Sequence, residues 1–154
     1  MIRVRHRGAV PLVAVGLGLG LCLGGCGSTP HSPHPASSPR PVAGCIAAKA
    51  VTHATVDATI SLQFVPKIVC LQLGGTVTWV NTTSDVDHTS TDEPSLAAKA
   101  GDASLPAGAH GWNLKLPAGK SAERTFTKAG VYHYFCIPHE TLGMVGEIVV
   151  VNGS

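Results

Sequence analysis

At 154 residues, 44% hydrophobic and 13% charged, the chain has room for one packed domain and a tail, and is too apolar for a disordered segment. The formal net charge of +2 counts Arg3, Arg5 and Arg7; the part after Cys26 holds eight Lys and Arg against nine Asp and Glu, or −1. That balance excludes the basic footprint of a nucleic-acid-binding protein. In chain order, the first element is the uncharged apolar run over residues 9–23, directly behind those arginines, which is the layout of a secretory signal peptide. A retained membrane helix is the alternative, although residues 10–25 fall short of the roughly 20 a span needs. Either way the remainder is exported.

The run ends in Leu23-Gly24-Gly25-Cys26, which resembles the lipobox of bacterial lipoproteins. The resemblance implies that Cys26 is diacylated and becomes the new N-terminus, anchoring the chain to the outer face of the cytoplasmic membrane, periplasmic or extracytoplasmic. An ordinary cleavage site with an incidental cysteine is the competing reading. Residues 27–41, GSTPHSPHPASSPRP, show no apolar periodicity, cannot bury a core, and read as an extended tether. His31 and His34 within it are polar spacers. The expected organisation is therefore a signal peptide over 1–25, a tether over 26–41 and a globular domain over 42–154.

Between His53 and Phe64, Val56, Ala58, Ile60, Leu62 and Phe64 alternate with polar residues, the period of a strand with one buried face. Pro66 punctuates it, residues 67–73 form a second strand, Gly74-Gly75 a turn, and residues 76–81 a third. A long polar stretch over 82–119 follows, with one helical turn expected at 96–100 and Gly101, Pro106 and Gly108 breaking anything longer. Strands resume at 122–127, 131–136 and 144–151. Short strands at this spacing predict an all-β, antiparallel sandwich.

The last two strands flank Tyr134-Phe135-Cys136-Ile137-Pro138-His139-Glu140-Thr141-Leu142-Gly143-Met144. A thiolate, an imidazole and a thioether thus fall within one tight loop. Thiolate and thioether suit copper(I), imidazole suits both copper states, and two histidines, one cysteine and a long axial methionine make an electron-transfer site. One more histidine is needed. Cys136 and His139 as nucleophile and base lack any evident oxyanion donors, and a structural zinc site wants more thiolates or histidines and no methionine.

The spacing Cys-x-x-His-x-x-x-x-Met, followed by Gly146, resembles the copper loop of the plastocyanin, amicyanin and pseudoazurin group of cupredoxins, and FVPKIVCLQLGGTVTWVN over 64–81 resembles that group's second block. The resemblance spans about residues 42–152. It implies a Greek-key β-sandwich holding one copper ion, with His88, Cys136 and His139 as equatorial ligands and Met144 as the axial one; His110 is the only substitute for His88. It also implies that Thr89 stands where an asparagine or serine often ties the two ligand loops together. The imidazole of His139 would reach the surface through an apolar rim of Ile137, Pro138, Leu142 and Gly143, serving as docking patch.

The activity so implied is one-electron transfer between copper(I) and copper(II) by a monomer with unidentified redox partners, not an enzyme. Delivery of copper at the membrane surface is the alternative. Cys45 and Cys70 are left over, and in an exported protein they most simply form a disulfide, two free thiols being the other possibility. Val69 and Leu71 face the core as in the family block, which turns Cys70 outward. His53 and His133 are expected to face solvent, Tyr132, Tyr134 and Trp79 to fill the core, and Glu140 to be a solvated charge.

Overall fold

The computed structural model describes residues 44–153. The signal peptide, Cys26 and the tether all lie outside the described residues. Eight strands carry the fold: β1 Val51–Ala58, β2 Phe64–Val65, β3 Ile68–Asn81, β4 His88–Asp92, β5 Trp112–Leu116, β6 Ser121–Thr125, β7 Gly130–Phe135 and β8 Val145–Val151. They run in the order β2-β1-β3-β8-β7-β4-β5, with β6 on β3. The all-β sandwich is as expected, but it is mixed rather than antiparallel, because β3 runs parallel to both β1 and β8.

The alternation over residues 53–64 does not continue as one strand. It breaks after Ala58, where Thr59 N–H donates to Gln63 O at 3.0 Å and Leu62 N–H to Thr59 O at 3.0 Å, so that Phe64–Val65 turns back onto β1. Ile60 is left exposed and Leu62 takes a φ of 57°. Local hydrogen bonding thus overrides the periodic pattern.

Gly74-Gly75 bends one long strand instead of joining two. Residues 68–72 pair with β8, and residues 76–81 pair with β1 and β6. Gly74 sits at φ +84°, and a Cβ on Gly75 would lie 2.8 Å from both the Gln72 carbonyl and the Leu71 side chain, so only glycine fits the bend.

Alternation along β3 buries Val69, Leu71, Val77 and Trp79, which pack with Val56, Leu116, Phe126, Tyr134 and Ile148 in one core. Each such apolar side chain contributes about 1.5–3 kcal/mol on burial. Tyr134 stands edge-on to Trp79 at 5.5 Å. Cys45 and Cys70 are disulfide-bonded with Cα atoms 5.5 Å apart, Cys70 half-buried between the buried Val69 and Leu71 as the alternation implied.

The polar stretch over 82–119 holds two strands, β4 and β5, paired from His88↔Leu116 to Asp92↔Trp112, and a 3-10 turn at Pro94–Leu96 near the expected helical turn. Residues 88–92 read HTSTD, with no apolar alternation. Among the described residues no helix is long and apolar enough to cross a membrane.

Candidate metal centre

Strand β3 ends in Asn81, a buried amide whose hydrogen bonds set the entry to β4. Its Nδ2 donates to Val86 O at 2.7 Å and Leu116 O at 2.8 Å, and its Oδ1 accepts from Thr83 N–H at 3.0 Å and the Thr83 hydroxyl at 2.8 Å. A buried amide with every group satisfied fixes its surroundings. Ala118 N–H donates to Asp87 Oδ1 at 3.0 Å. The loop so held delivers His88, 2% exposed, into the interior as the first residue of β4.

Strand β7 delivers the second group. Phe135 ends the strand and Cys136, fully buried, precedes the 3-10 turn Ile137–Leu142. The loop closes on itself: His139 N–H donates to Cys136 O at 3.0 Å, Met144 N–H to His139 O at 3.2 Å and Cys136 N–H to Met144 O at 3.0 Å. Gly143 ends the turn at φ +88°, its N–H bonding Glu140 O, a left-handed position that glycine takes without strain. Pro138 at the start of the turn costs no hydrogen bond.

Cys136 Sγ lies 3.6 Å from His88 Nδ1 and 3.4 Å from His139 Nδ1. The ligand atoms of His88, Cys136 and His139 all fall within 4.8 Å of one another, the only such trio of His, Cys, Asp or Glu among the described residues. The two imidazole rings are 5.0 Å apart at 63°. Met144 is fully buried in the same core cluster as Cys136.

Thr89 joins the two sides. Its N–H donates to Cys136 Sγ at 3.3 Å, and its hydroxyl accepts from Ile137 N–H at 2.9 Å. Burial pushes the Cys136 thiol up, against the Thr89 hydrogen bonds, and burial followed by the charge of His139 lowers His88, opposed by the Thr59 backbone and Asp87. Both shifts favour the uncharged forms, of which the neutral imidazole is the one that ligates, whereas the thiol would have to give up its proton to do so.

The donor set fits copper. Cys136 Sγ and the two Nδ1 atoms, 3.4 and 3.6 Å apart, are close enough for all three to hold one ion. Two imidazoles, a thiolate and a neighbouring thioether are the ligand types of a blue-copper site.

The remaining sequence expectations divide. His110 is exposed, outside the trio, its carbonyl accepting from Arg124 Nη2. Ile137, Pro138, Leu142 and Gly143 are all exposed around the half-buried His139. His53 is exposed, and His133 lies outside the trio with its side chain 40% exposed, bonded to Ser104 Oγ at 2.9 Å and Glu147 Oε2 at 3.1 Å. Glu140, by contrast, is not a solvated charge. It is 3% exposed, and its carboxylate accepts from Ala98 N–H at 2.8 Å and Lys99 N–H at 2.9 Å. Two backbone donors 41 and 42 residues away leave no trace in local sequence.

A model of one protein family, copper binding proteins of the plastocyanin/azurin family, matches residues 50–151. A plastocyanin of Scenedesmus fuscus is 38% identical over 90 residues, covering 58% of this chain and 88% of its own length. A chloroplastic plastocyanin of Chlamydomonas reinhardtii is 33% identical over 113 residues, covering 68% of this chain and 75% of its own. A solved amicyanin is 26% identical and covers 68% of this chain and 89% of that one, with a TM-score of 0.48.

Proposed function

The chain belongs to the plastocyanin/azurin family of copper-binding proteins, with one copper ion as cofactor, and from that premise we propose that it carries single electrons and catalyses no reaction of its own. The observation behind this reading is the convergence of His88, Cys136 and His139 within 4.8 Å, with Met144 buried beside them. In this proposal His88, Cys136 and His139 would hold the ion, with the Met144 thioether as the fourth donor. Bound copper supplies the exchange of one electron between its two oxidation states.

The residues of the chain keep that exchange cheap. His88 is locked by burial and by the Asn81-clamped loop, and Cys136 by the Thr89 amide and the closed turn, so the donors have little room to rearrange. Preorganised groups need no rebuilding when charge changes. The Thr89 amide also stabilises negative charge on the sulfur, one of the levers on a blue-copper potential. Half-buried His139, ringed by exposed Ile137, Pro138, Leu142 and Gly143, is the exit for the electron, and that rim is the docking patch for redox partners.

Signal peptide 1–25, a lipid on Cys26 and tether 26–41 place this activity at the outer face of the cytoplasmic membrane, as a monomer. The test is a visible absorption spectrum of the purified chain on adding copper(II). Intense thiolate-to-copper charge transfer that bleaches on reduction is the expected result. Tight but colourless copper binding overturns it in favour of copper delivery. Met144→Leu is expected to keep the colour and shift the reduction potential.

A further inference from the structure

The copper loop has an unusual anchor. Of the six residues in the turn Ile137–Leu142, Glu140 alone is buried, whereas Ile137 is 41% and Leu142 67% exposed. A loop of this kind is ordinarily pinned by its apolar side chains, since carboxylates are seldom fully buried without partners. Here the carboxylate points inward and the apolar groups point out. Its two oxygens divide two donors between them, Oε2 accepting from Ala98 N–H at 2.8 Å and Oε1 from Lys99 N–H at 2.9 Å. These amides belong to the connection between β4 and β5, just after the turn Pro94–Leu96. Hydrogen bonds to an ionised acceptor are the stronger kind.

We propose that Glu140 is a positioning residue of the copper centre: its carboxylate clamps the 98–99 backbone against the turn and thereby holds the adjacent His139 in register with His88 and Cys136. This rests on the ligand assignment above. His139 needs such a device more than His88 does. His88 sits in a strand and is 2% exposed, while His139 is half-buried in a turn where every other residue except Glu140 is exposed. Backbone hydrogen bonds within the turn hold its shape. Among the described residues, apart from the contact of His139 with Cys136 Sγ, the side-chain hydrogen bonds that tie it to the rest of the fold are those of Thr89, through Ile137 N–H, and of Glu140. The carboxylate also adds fixed negative charge next to a ligand, which favours the more positive, oxidised state of the centre.

The test compares the full chain with Glu140→Gln, a change of nearly equal size that replaces one accepting oxygen with an NH2 group facing an N–H. In the metal-free proteins, exchange of the Ala98 and Lys99 amides with deuterium is expected to quicken about tenfold or more in the variant, the equivalent of one net hydrogen bond to a charged group. In the copper-loaded proteins, release of copper to a chelator is expected to quicken to a similar degree and the reduction potential to rise. Unchanged amide exchange, or faster exchange with unchanged copper release and potential, overturns the proposal. Should the variant fail to fold, the wild-type chain decides: Ala98 and Lys99 amides that exchange like free, exposed ones overturn it, and protected amides uphold the clamp. Absence of the charge-transfer band in the wild type is a different failure, that of the ligand assignment, and is read before any variant is made.

Discussion

Strand β4 carries a buried titratable side chain at each end, and the two have opposite surroundings. At its start, His88 turns Nδ1 to within 3.6 Å of Cys136 Sγ, beside His139. At its end, Asp92 is fully buried with no hydrogen-bond partner for either carboxylate oxygen among the described residues. Burial pushes the Asp92 carboxyl up to about 7, with the Arg124 guanidinium pulling it down and Glu93 adding to the rise. Arg124 itself lies over the Trp112 ring at 4.7 Å. Both ends are buried and polar, so burial alone does not mark the site. What marks it is that three soft or borderline donors converge on a common centre, whereas Asp92 faces no second ligand.

The sharpest way to break this comparison is at the converging end. Cys136→Ser is expected to abolish the thiolate-to-copper absorption completely, while His110→Ala leaves it intact; colour that survives without Cys136 would sink the site. At the other end, the unfolded chain titrates Asp92 near 3.8, whereas the folded chain keeps the proton up to about 7. The folded state binds more protons between those values, so stability falls as pH rises through that window. Above it the full cost, about 4 kcal/mol at 1.36 kcal/mol per unit, is in place. Denaturant titrations of wild type and Asp92→Asn from pH 4 to pH 8 check this. Their stabilities are expected to diverge by about 1.4 kcal/mol per pH unit up to about pH 7 in favour of the variant, and parallel curves refute it.

A smaller effect sharpens the contrast by touching neither end. Replacing Cys45 and Cys70 by alanine opens a bridge across a separation of 25 residues and is expected to cost about 3 kcal/mol of stability in the chain-entropy account. The copper spectrum should not move; a shifted band would mean that the bridge shapes the site. The smallest effect belongs to Thr89→Val. It removes the hydroxyl that accepts from Ile137 N–H but keeps the amide on Cys136 Sγ. Thermal unfolding is expected to show a loss of about 1 kcal/mol.

Much of this was legible from residue order. The spacing of Cys136, His139 and Met144 is local chemistry on one loop, and the alternation in β3 follows from the two-residue period of a strand. Leftover cysteines in a chain that reads as exported pointed to the Cys45–Cys70 bridge. Tertiary structure alone decided the rest. That His88 rather than His110 meets Cys136 depends on how Asn81 ties the preceding loop to Leu116 across 35 residues. That 88–92 is a strand depends on its pairing with β5 and β7, not on its polar sequence HTSTD. The alternation through Ile60 failed because local hydrogen bonds from Thr59 and Leu62 closed a turn there. Glu140, which looks like a surface charge when read alone, is buried because two distant backbone amides are aimed at it. Periodicity records which face a residue takes; it does not record which distant donor waits on that face.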